Sequence, residues 1–350
     1  MAPTTLPSCV HVCCGSYDRA VCGFDLVLRP EDSAEDRQAA IQFTRRYATA
    51  AHSGPVRCVA SRGNVLASAG DDEIIRLYDV AKMVEIGSLM EQSASITHLQ
   101  MGNGIMLSGA EDGTICVWSV KAWDCLSTIS AHKGRITGLA LHPTSPVALS
   151  VGADRSLCIW DLAKFKKVFS IKAKTGTHSL QWSPSGEHYA FLCDKECRVS
   201  DRNGNLLWSL AHDSRVLSFA FIAETYVATG TDDGTIRVWS CTAGEDVAVL
   251  QGHDKRVSAL ASVQHGLLAS ASSDGRILLW DLQCPDVPLG AFEANLRITS
   301  LCSVRTDTPS IATDATSPAP AETPVTKGKK TKSAASRRQK LRGVRKTISK

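Results

Sequence analysis

Short apolar or alternating runs recur along the chain, separated by polar turn residues. Four of them read GPVRCVAS (54–61), GRITGLAL (134–141), SRVLSFAF (214–221) and KRVSALAS (255–262). Runs of this length, rich in small and β-branched apolar residues, are typical of β-strands. The pattern therefore predicts an all-β protein in which these four strands are buried on both faces.

The runs belong to a unit that repeats along the chain, in which an aspartate precedes a usually aromatic position by six residues. The pairs are Asp18 and Phe24, Asp72 and Tyr78, Asp112 and Trp118, Asp154 and Trp160, Asp194 and Ser200, Asp233 and Trp239, and Asp274 and Trp280. The last six of these positions are 40, 42, 40, 39 and 41 residues apart. This period is typical of four-stranded propeller blades, so the copies predict a seven-bladed β-propeller over residues 9–304. The longer gap between the first two copies is explained by an exposed polar loop insertion, residues 29–40.

The N-terminal copy has no inner strand in front of it. The C-terminal run LRITSLCSV (296–304) closely resembles GRITGLAL (134–141). We therefore expect the last strand to pair with the N-terminal strands in one composite blade. Such closure would remove the free sheet edges of the ring and make the two ends of the propeller depend on each other.

Most copies also carry a histidine, a hydroxyl residue and the aspartate at fixed offsets. The sets are His52, Ser68 and Asp72; His132, Ser150, Asp154 and Trp160; His212, Thr229, Asp233 and Trp239; and His253, Ser270, Asp274 and Trp280. Serine, histidine and aspartate are also the residues of hydrolytic triads. One set per blade at constant offsets favours instead a buried hydrogen-bond network that rigidifies each blade.

Two copies depart from this pattern. One has Ser93 near the histidine place, and the fifth has Ala190 and Ser200 with no clear histidine. We expect these blades to be less rigid, and the fifth to be the softest part of the ring.

Catalysis and cofactor binding find no support in the residues. The glycine-containing turns GAEDG, GADRS and GTDDG lie between two strands rather than between a strand and a helix, so they do not match phosphate-binding loops. The 13 cysteines lack metal-binding spacing, and their odd number and scatter indicate a reducing compartment. We expect no metal, no cofactor, no secretory signal, no membrane span and no enzymatic activity.

The last 46 residues, 305–350, differ in composition from the rest. Residues 305–326 are rich in Thr, Pro, Ala and Ser, which predicts disorder. From residue 327 the tail is basic, with 11 Lys and Arg and no acidic residue, whereas the rest of the chain has a net charge of −7. The basic residues in its two clusters are Lys327, Lys329, Lys330, Lys332, Arg337, Arg338, Lys340, Arg342, Arg345 and Lys346. Such clusters are typical of a nuclear localisation signal or an RNA contact, and the alternative is a merely solubilising tail.

A second basic stretch comprises Lys164, Lys166, Lys167, Lys172 and Lys174. It is either a further contact or, as we favour from the sequence, a solvated outer strand.

The chain resembles the PAK-interacting-protein type of WD-repeat protein along nearly its whole length. The resemblance is carried by CGSYDRAVCGFDLVLRPE near the start, by SGAEDGTICVWSVKAWDCL, AHKGRITGLALHP, ALSVGADRSLCIWDL and QWSPSGEHY in the middle, and by SASSDGRILLWDL before the tail. It implies a monomeric WD-repeat propeller in the nucleus and nucleolus, acting as a scaffold in assembly of the large (60S) ribosomal subunit precursor. The implied partners are assembly factors, ribosomal proteins and, through the tail, pre-rRNA. The alternative it implies is an adaptor that binds and restrains a signalling protein kinase.

Overall fold

A computed structural model describes residues 9–28, 41–263 and 266–304. The predicted loop insertion (29–40) and the predicted disordered, basic tail (305–350) lie outside these residues. Every regular element in the described residues is a β-strand, and none of those residues forms a helix that could span a membrane.

The described strands are numbered in chain order. They are β1 (Cys9–Ser16), β2 (Ala20–Leu28), β3 (Ile41–Ala50), β4 (Val56–Arg62), β5 (Val65–Gly70), β6 (Ile75–Asp79), β7 (Val84–Leu89), β8 (Ile96–Gly102), β9 (Ile105–Ala110), β10 (Thr114–Ser119), β11 (Cys125–Ser130), β12 (Ile136–Leu141), β13 (Val147–Gly152), β14 (Ser156–Asp161), β15 (Lys166–Lys172), β16 (Thr177–Trp182), β17 (His188–Cys193), β18 (Glu196–Asp201), β19 (Leu206–Ala211), β20 (Val216–Ile222), β21 (Tyr226–Thr231), β22 (Ile236–Ser240), β23 (Asp246–Leu250), β24 (Val257–Ser262), β25 (Leu267–Ser272), β26 (Arg276–Asp281), β27 (Gly290–Glu293) and β28 (Ile298–Val304).

These strands form seven four-stranded antiparallel sheets, which are the blades of a seven-bladed β-propeller. Blade 1 has the order β28-β1-β2-β3, and blades 2 to 7 each consist of four consecutive strands, from β4–β7 to β24–β27. The predicted all-β propeller is confirmed. The composite blade is also confirmed, because β28 from the C-terminal end of the propeller pairs with β1 from its N-terminal end.

Burial differs between the first two strands of a blade. The second strand is buried on both faces, as in β13, where residues 148–152 are all buried. The first strand varies between blades: in β12, Thr137 and Leu141 are part-exposed, whereas six of the seven residues of β20 are buried. The prediction that the innermost strands are buried on both faces therefore holds for β20 but not for β12. These strands line the central channel, and no neighbouring sheet covers that side.

The aromatic residue of each repeat packs between neighbouring blades. Trp280 of blade 7 lies in one cluster with Val238 and Leu250 of blade 6, and Trp160 of blade 4 lies in one cluster with Leu107 and Val117 of blade 3. A large flat ring can fill the wedge-shaped space that opens between twisted sheets. The period of about 40 residues is therefore also the period of the interfaces between blades.

Blade 5 fills its interface with blade 4 differently, since Ser200 occupies its aromatic place. Trp182 on β16 and Tyr189 on β17 pack there instead, with ring centroids 5.4 Å apart. Both side chains are buried. In blade 5 the large aromatic side chains therefore lie on the first two strands instead of on the third.

The turn between the second and third strands explains the recurrent Asp-Gly pair. Gly113 has φ +87°, and a Cβ there would lie 2.2 Å from the carbonyl oxygen of His132. Only glycine combines that φ with so close a backbone approach. In blade 5 the corresponding hairpin has a two-residue connection, and Asp194 itself takes φ +53°. The predicted equivalence of Asp194 with the other repeat aspartates was therefore wrong.

Hydroxyl groups on the inner strands join one blade to the next. The hydroxyl of Thr97 donates to the carbonyl of Ile136 at 2.9 Å, and that of Thr137 donates to the carbonyl of Thr177 at 3.1 Å. At the seam between the chain ends, Thr299 donates to the carbonyl of Val56 at 2.6 Å. The composite blade is thus joined to its neighbour by the same contact as the continuous blades.

The seam itself is held by backbone and side-chain bonds. Cys302 and Leu301 of β28 lie opposite Cys13 and Cys14 of β1. The Arg297 amide donates to the Asp18 carboxylate at 2.8 Å, so the aspartate of the N-terminal repeat anchors the C-terminal strand. Eight of the twelve cysteines whose side chains the structure describes are buried.

Candidate functional site

Blade 4 contains the predicted polar network in full. The Trp160 indole N–H donates to Ser150 Oγ at 2.8 Å, and the Ser150 hydroxyl donates to His132 Nε2 at 2.7 Å. His132 Nδ1–H then donates to Asp154 Oδ1 at 3.0 Å. Asp154 also accepts the Lys133 amide at 3.0 Å, which ties the turn to the start of the inner strand. Trp160, Ser150 and His132 thus each donate to the next residue, in a series that runs from the blade interface to Asp154 in the surface turn.

The direction of these bonds requires a neutral histidine with its proton on Nδ1. Burial lowers the pKa of His132 below its ordinary value, an effect that the nearby Asp154 carboxylate opposes but does not cancel. The pKa of Asp154 is lowered to about 2: burial alone would raise it, but the Lys133 amide, Ser156 and His132 stabilise its charge. The hydroxyl between tryptophan and histidine is completely buried, so it has no access to a substrate. The network therefore satisfies buried polar groups and offers no nucleophile.

The serine, histidine and aspartate of blade 2 are arranged as in blade 4, but its aromatic residue differs. Ser68 Oγ lies 2.7 Å from His52 Nε2, and His52 Nδ1 lies 2.9 Å from both carboxylate oxygens of Asp72. Burial lowers the pKa of His52 as well. Tyr78 stands where blades 3, 4, 6 and 7 have tryptophan, and it is buried in the cluster between blades 1 and 2.

Blade 7 has only part of the predicted network. Trp280 donates to Ser270 at 2.8 Å, and Ser270 contacts His253 Nε2 at 2.7 Å. His253 Nδ1 has no hydrogen-bond partner among the described residues. Asp274 instead accepts the amide of Arg276 at 3.0 Å and stays within its own turn. The predicted contact between His253 and Asp274 was therefore wrong.

Blade 6 leaves its histidine outside the network. Trp239 donates to Thr229 Oγ1 at 2.9 Å, but the Thr229 hydroxyl donates to the backbone carbonyl of Arg237 at 3.2 Å. A hydroxyl has one proton, so none remains for His212. Both ring nitrogens of His212 lack a partner among the described residues, and its ring packs edge-on against Trp239 at 5.2 Å. Asp233 instead accepts the hydroxyls of Ser214 at 2.6 Å and Thr231 at 2.5 Å. The predicted links from His212 to Thr229 and to Asp233 were therefore both wrong.

Blade 3 uses a residue that the sequence reasoning missed. Trp118 donates to Ser108 at 2.9 Å, and Ser108 donates to Gln92 Oε1 at 2.5 Å. The Gln92 amide then donates to Thr114 Oγ1 at 3.4 Å. An amide has both an acceptor and a donor, so glutamine can relay the series as a neutral histidine does. Ser93 was expected near this place, and the structure gives the role to the residue before it.

The central channel is a cavity with a volume of about 1010 Å³. Its wall comes from the inner strands and includes Arg57, Arg62, His98, His142 and Gln181. No group of three or more His, Cys, Asp or Glu residues that could hold a metal ion occurs in the described part of the chain. The wall presents arginine, histidine and amide groups without a clustered acid–base set.

One mouth of the channel carries exposed arginines that the sequence reasoning also missed. They lie at the start of inner strands and are Arg57, Arg135, Arg215, Arg256 and Arg297. Arg57 pairs with Asp71 at 2.8 Å, and Arg135 lies 3.9 Å from Glu111. An arginine beside the first apolar residue of the inner strand is the signal that would have revealed them. These five arginines form the arginine rim of the channel, whose positive charge is partly neutralised by Asp71 and Glu111.

The fold and these repeated networks define a class, the propellers built from WD repeats. The sequence profile of the WD domain, G-beta repeat, matches residues 43–79, 84–119, 123–161, 204–240 and 244–281. The chain belongs to this family. Each matched segment, such as 84–119, supplies the outer strand of one blade and the first three strands of the next.

Within this family the chain is similar to particular proteins. The p21-activated protein kinase-interacting protein 1-like of Danio rerio is 33% identical over 242 residues, 69% of this chain and 64% of that protein. The p21-activated protein kinase-interacting protein 1 of Homo sapiens is 31% identical over 231 residues, 65% of this chain and 58% of that protein. Protein MAK11 of Saccharomyces cerevisiae is 25% identical over 255 residues, 65% of this chain and 61% of that protein. The resemblance to the PAK-interacting-protein type is confirmed, and the chain spans less than two thirds of the length of these relatives.

Proposed function

We propose that this protein is a non-catalytic scaffold for assembly of the large (60S) ribosomal subunit precursor in the nucleolus. In this role the propeller binds assembly factors and ribosomal proteins, and the basic tail binds pre-rRNA. WD-repeat propellers are typically scaffolds without catalytic activity, and their function resides in the surfaces that the blades present.

The observation that carries the proposal is the use of the polar residues. The sets that resemble hydrolytic triads are buried in blade networks, as Ser150 is between Trp160 and His132. Polar groups that are exposed, such as the arginine rim, suit binding of anionic or acidic surfaces. The resemblance to relatives that include Protein MAK11 supports the ribosomal role.

The distribution of charge supports the RNA contact. Residues 327–350 contain 11 Lys and Arg and no acidic residue, in a chain whose remainder has a net charge of −7. An RNA is a natural partner for such a tail, bound through phosphates without regard to sequence. The tail has no aromatic residue, so base stacking is not expected there.

The second candidate is an adaptor that binds and restrains a signalling protein kinase. The observation that favours it is the name of the relatives, which calls them kinase-interacting. This role would use the propeller surface and would not require the basic tail.

The experiment is sucrose-gradient sedimentation of the tagged full-length chain, with RNA and protein identified in each fraction. The variant replaces the ten tail residues named above with glutamine, and the control replaces the tail lysines with arginine. We expect the wild-type chain and the control to sediment with large-subunit precursor RNA. The neutralised variant should dissociate at lower salt, since about six phosphate contacts on single-stranded RNA give a log–log salt slope near −4.

The result that would contradict the proposal is sedimentation of all three chains at the top of the gradient together with a protein kinase. That result would establish the adaptor role. If the neutralised variant stays on the particle at every salt concentration, the propeller alone makes the contact and the tail assignment is wrong.

A further inference from the structure

The outer strand of blade 4 is exposed along its whole length. All seven residues of β15, with the sequence KKVFSIK, are exposed. In the outer strands β7, β11, β19, β23 and β27 at least one residue is part-buried or buried. Ile171, for example, corresponds to Leu210 and Leu250, which are buried on their blades.

The exposed side chains of β15 include three large apolar ones. Val168, Phe169 and Ile171 are 65%, 56% and 37% exposed. The strand lies at the end of its sheet, paired only with β14, so its outer backbone N–H and C=O groups face away from the sheet. A regular sheet edge with apolar side chains is the surface to which an extended peptide adds as a further strand.

Lysines predominate among the charged residues along this strand. Five lysines lie on it or next to it, at Lys164, Lys166, Lys167, Lys172 and Lys174. Lys164 pairs with Asp161 at 3.8 Å, and Lys174 pairs with Glu196 at 3.3 Å. The other three make no ion pair with any described residue. Three uncompensated ammonium groups beside an apolar edge are complementary to carboxylates that alternate with apolar side chains.

Lysines on an edge strand also serve to prevent aggregation. That role alone accounts for the charge but not for the exposure of Phe169 and its apolar neighbours. RNA would pair with the lysines, yet it has no repeating backbone donors and acceptors to match a sheet edge. The combination of open edge, apolar side chains and lysines therefore favours a peptide.

We propose that β15 is a docking strand for an extended acidic segment of a partner protein, which adds to blade 4 as a fifth strand. Apolar side chains of the segment cover Phe169 and Ile171 on one face of the strand, and its carboxylates pair with Lys167 and Lys172 on the opposite face. This interaction is separate from the tail and does not depend on the ribosomal role. It gives the basic stretch a binding function in place of the solvated-strand interpretation made from the sequence.

The test uses the full-length chain and a fluorescein-labelled peptide of alternating glutamate and valine, about as long as two strands. The variants are Phe169→Asp and the double variant Lys166→Glu with Lys167→Glu. The matched control is Val247→Asp on β23, which is 54% exposed on an outer strand that begins with Asp246 rather than lysines. The basic tail is unchanged in every variant, so its attraction for the peptide cancels in the comparison.

In fluorescence anisotropy we expect the wild-type chain and the control to bind alike and both β15 variants to bind at least about tenfold more weakly. Hydrogen exchange should slow in residues 166–172 when the peptide is bound and stay unchanged in 246–250. A peptide N-methylated at alternate residues should bind at least about tenfold more weakly to the wild-type chain, because it lacks the donors that pair with the edge.

Equal binding by the β15 variants and the control would overturn the proposal, as would equal binding of the N-methylated peptide. Absence of peptide binding would leave the lysines with a protective role only and would also overturn it. A uridine oligonucleotide serves as the second probe. If it binds in a manner that the lysine substitutions abolish while the peptide does not bind, the strand is an RNA contact and the peptide assignment is wrong.

Discussion

Identical residue types at identical offsets make different bonds in different blades. His132 is bonded at both ring nitrogens, His253 at one, and His212 at neither among the described residues. In blade 6 the hydroxyl residue is Thr229, which donates to a backbone carbonyl instead of to its histidine. The energetic importance of each histidine is therefore set by its neighbours and not by its place in the repeat.

The first prediction compares two histidines in the same repeat position. We expect His132→Leu to lower the free energy of unfolding by about 2 kcal/mol, because the Ser150 hydroxyl and the Asp154 carboxylate both lose a partner. His212→Leu is the control and should change stability by less than about 1 kcal/mol, because its ring nitrogens have no bonds to lose. Urea denaturation followed by tryptophan fluorescence measures both. Equal losses in the two variants would show that the bonds of blade 4 do not stabilise it.

The second prediction concerns pH. Burial lowers the pKa of His212 and of His253 from 6.5 to about 4, so each binds a proton more readily in the unfolded chain than in the propeller. Stability should therefore be constant above about pH 7 and should fall as the pH drops from 6.5 towards 4. Each of these histidines should remove about 2 kcal/mol between pH 7 and pH 5.

Denaturation curves at pH 7, 6 and 5 measure this dependence. The His212→Leu variant should lose less stability over that interval than the wild-type chain, because one of the buried histidines that become protonated on unfolding is absent. A wild-type chain equally stable at pH 7 and pH 5 would contradict the assignment of both histidines as neutral and buried.

At the scale of elements, the blades share the same four-stranded topology and differ in the residues that form the polar network and fill the interface. Blade 3 replaces histidine with Gln92, and blade 5 moves its aromatic side chains to Trp182 and Tyr189. Blade 5 also shortens the hairpin at Asp194. Interface volume is preserved in each case, because an unfilled wedge between sheets would cost packing energy. The polar network is absent from the described residues of blade 5, because Ala190 cannot donate or accept.

The third prediction is that blade 5 opens more readily than blade 4. The hairpin of blade 5 lacks the histidine and aspartate bonds that tie the corresponding turn of blade 4 to its inner strand. Hydrogen exchange measured by mass spectrometry should therefore be faster in residues 188–201 than in residues 147–161. Slower or equal exchange in blade 5 would show that Trp182 and Tyr189 compensate fully for the missing network.

The fourth prediction concerns the turns. Gly113→Ala should destabilise the protein by at least about 2 kcal/mol more than Gly104→Ala. Both glycines have positive φ, but a Cβ at Gly113 would meet the His132 carbonyl, whereas one at Gly104 would meet no atom within 4 Å. Thermal unfolding of the two variants separates the effect of the close contact from that of φ. Equal shifts would mean that the turn moves away from the inner strand at little cost.

At the scale of the molecule, the ring is closed by strands from opposite ends of the propeller. β28 pairs with β1, the Arg297 amide binds Asp18, and Thr299 reaches the next blade at Val56. Phe24 on β2 packs in one cluster with Leu267 and Leu279 of blade 7. Without β28, β1 would become an open edge beside the channel and the last interface would lose part of its core.

The fifth prediction tests this closure with two shortened chains. A chain ending at Val304 keeps β28 and should unfold within about 2 °C of the full-length chain. A chain ending at Asn295 lacks β28 and should lose cooperative unfolding or aggregate. Circular dichroism during heating and size-exclusion chromatography measure these outcomes. Cooperative unfolding of the chain ending at Asn295 at the wild-type temperature would show that six complete blades suffice.

The sequence by itself determined the architecture, because its signals are periodic and local. A residue spacing near 40, Asp-Gly turns, and the likeness of residues 296–304 to an inner strand predicted the propeller and its composite blade. These signals depend on strand length, turn geometry and the shape of one repeated unit, which are the same wherever the unit occurs. The arginine beside five of the seven inner strands was present in the same pattern but was not recognised.

Only the tertiary structure decided which network bonds form and which surfaces are open. Whether a hydroxyl donates to histidine or to a carbonyl depends on differences of about an ångström between facing strands, which residue spacing does not encode. The place of Trp182 and Tyr189 in the interface with blade 4, and the exposure of β15, depend on residues distant in the chain. The sequence thus specified the repeated unit, and the contacts between neighbouring units decided which hydrogen bonds form and which surfaces stay exposed in each blade.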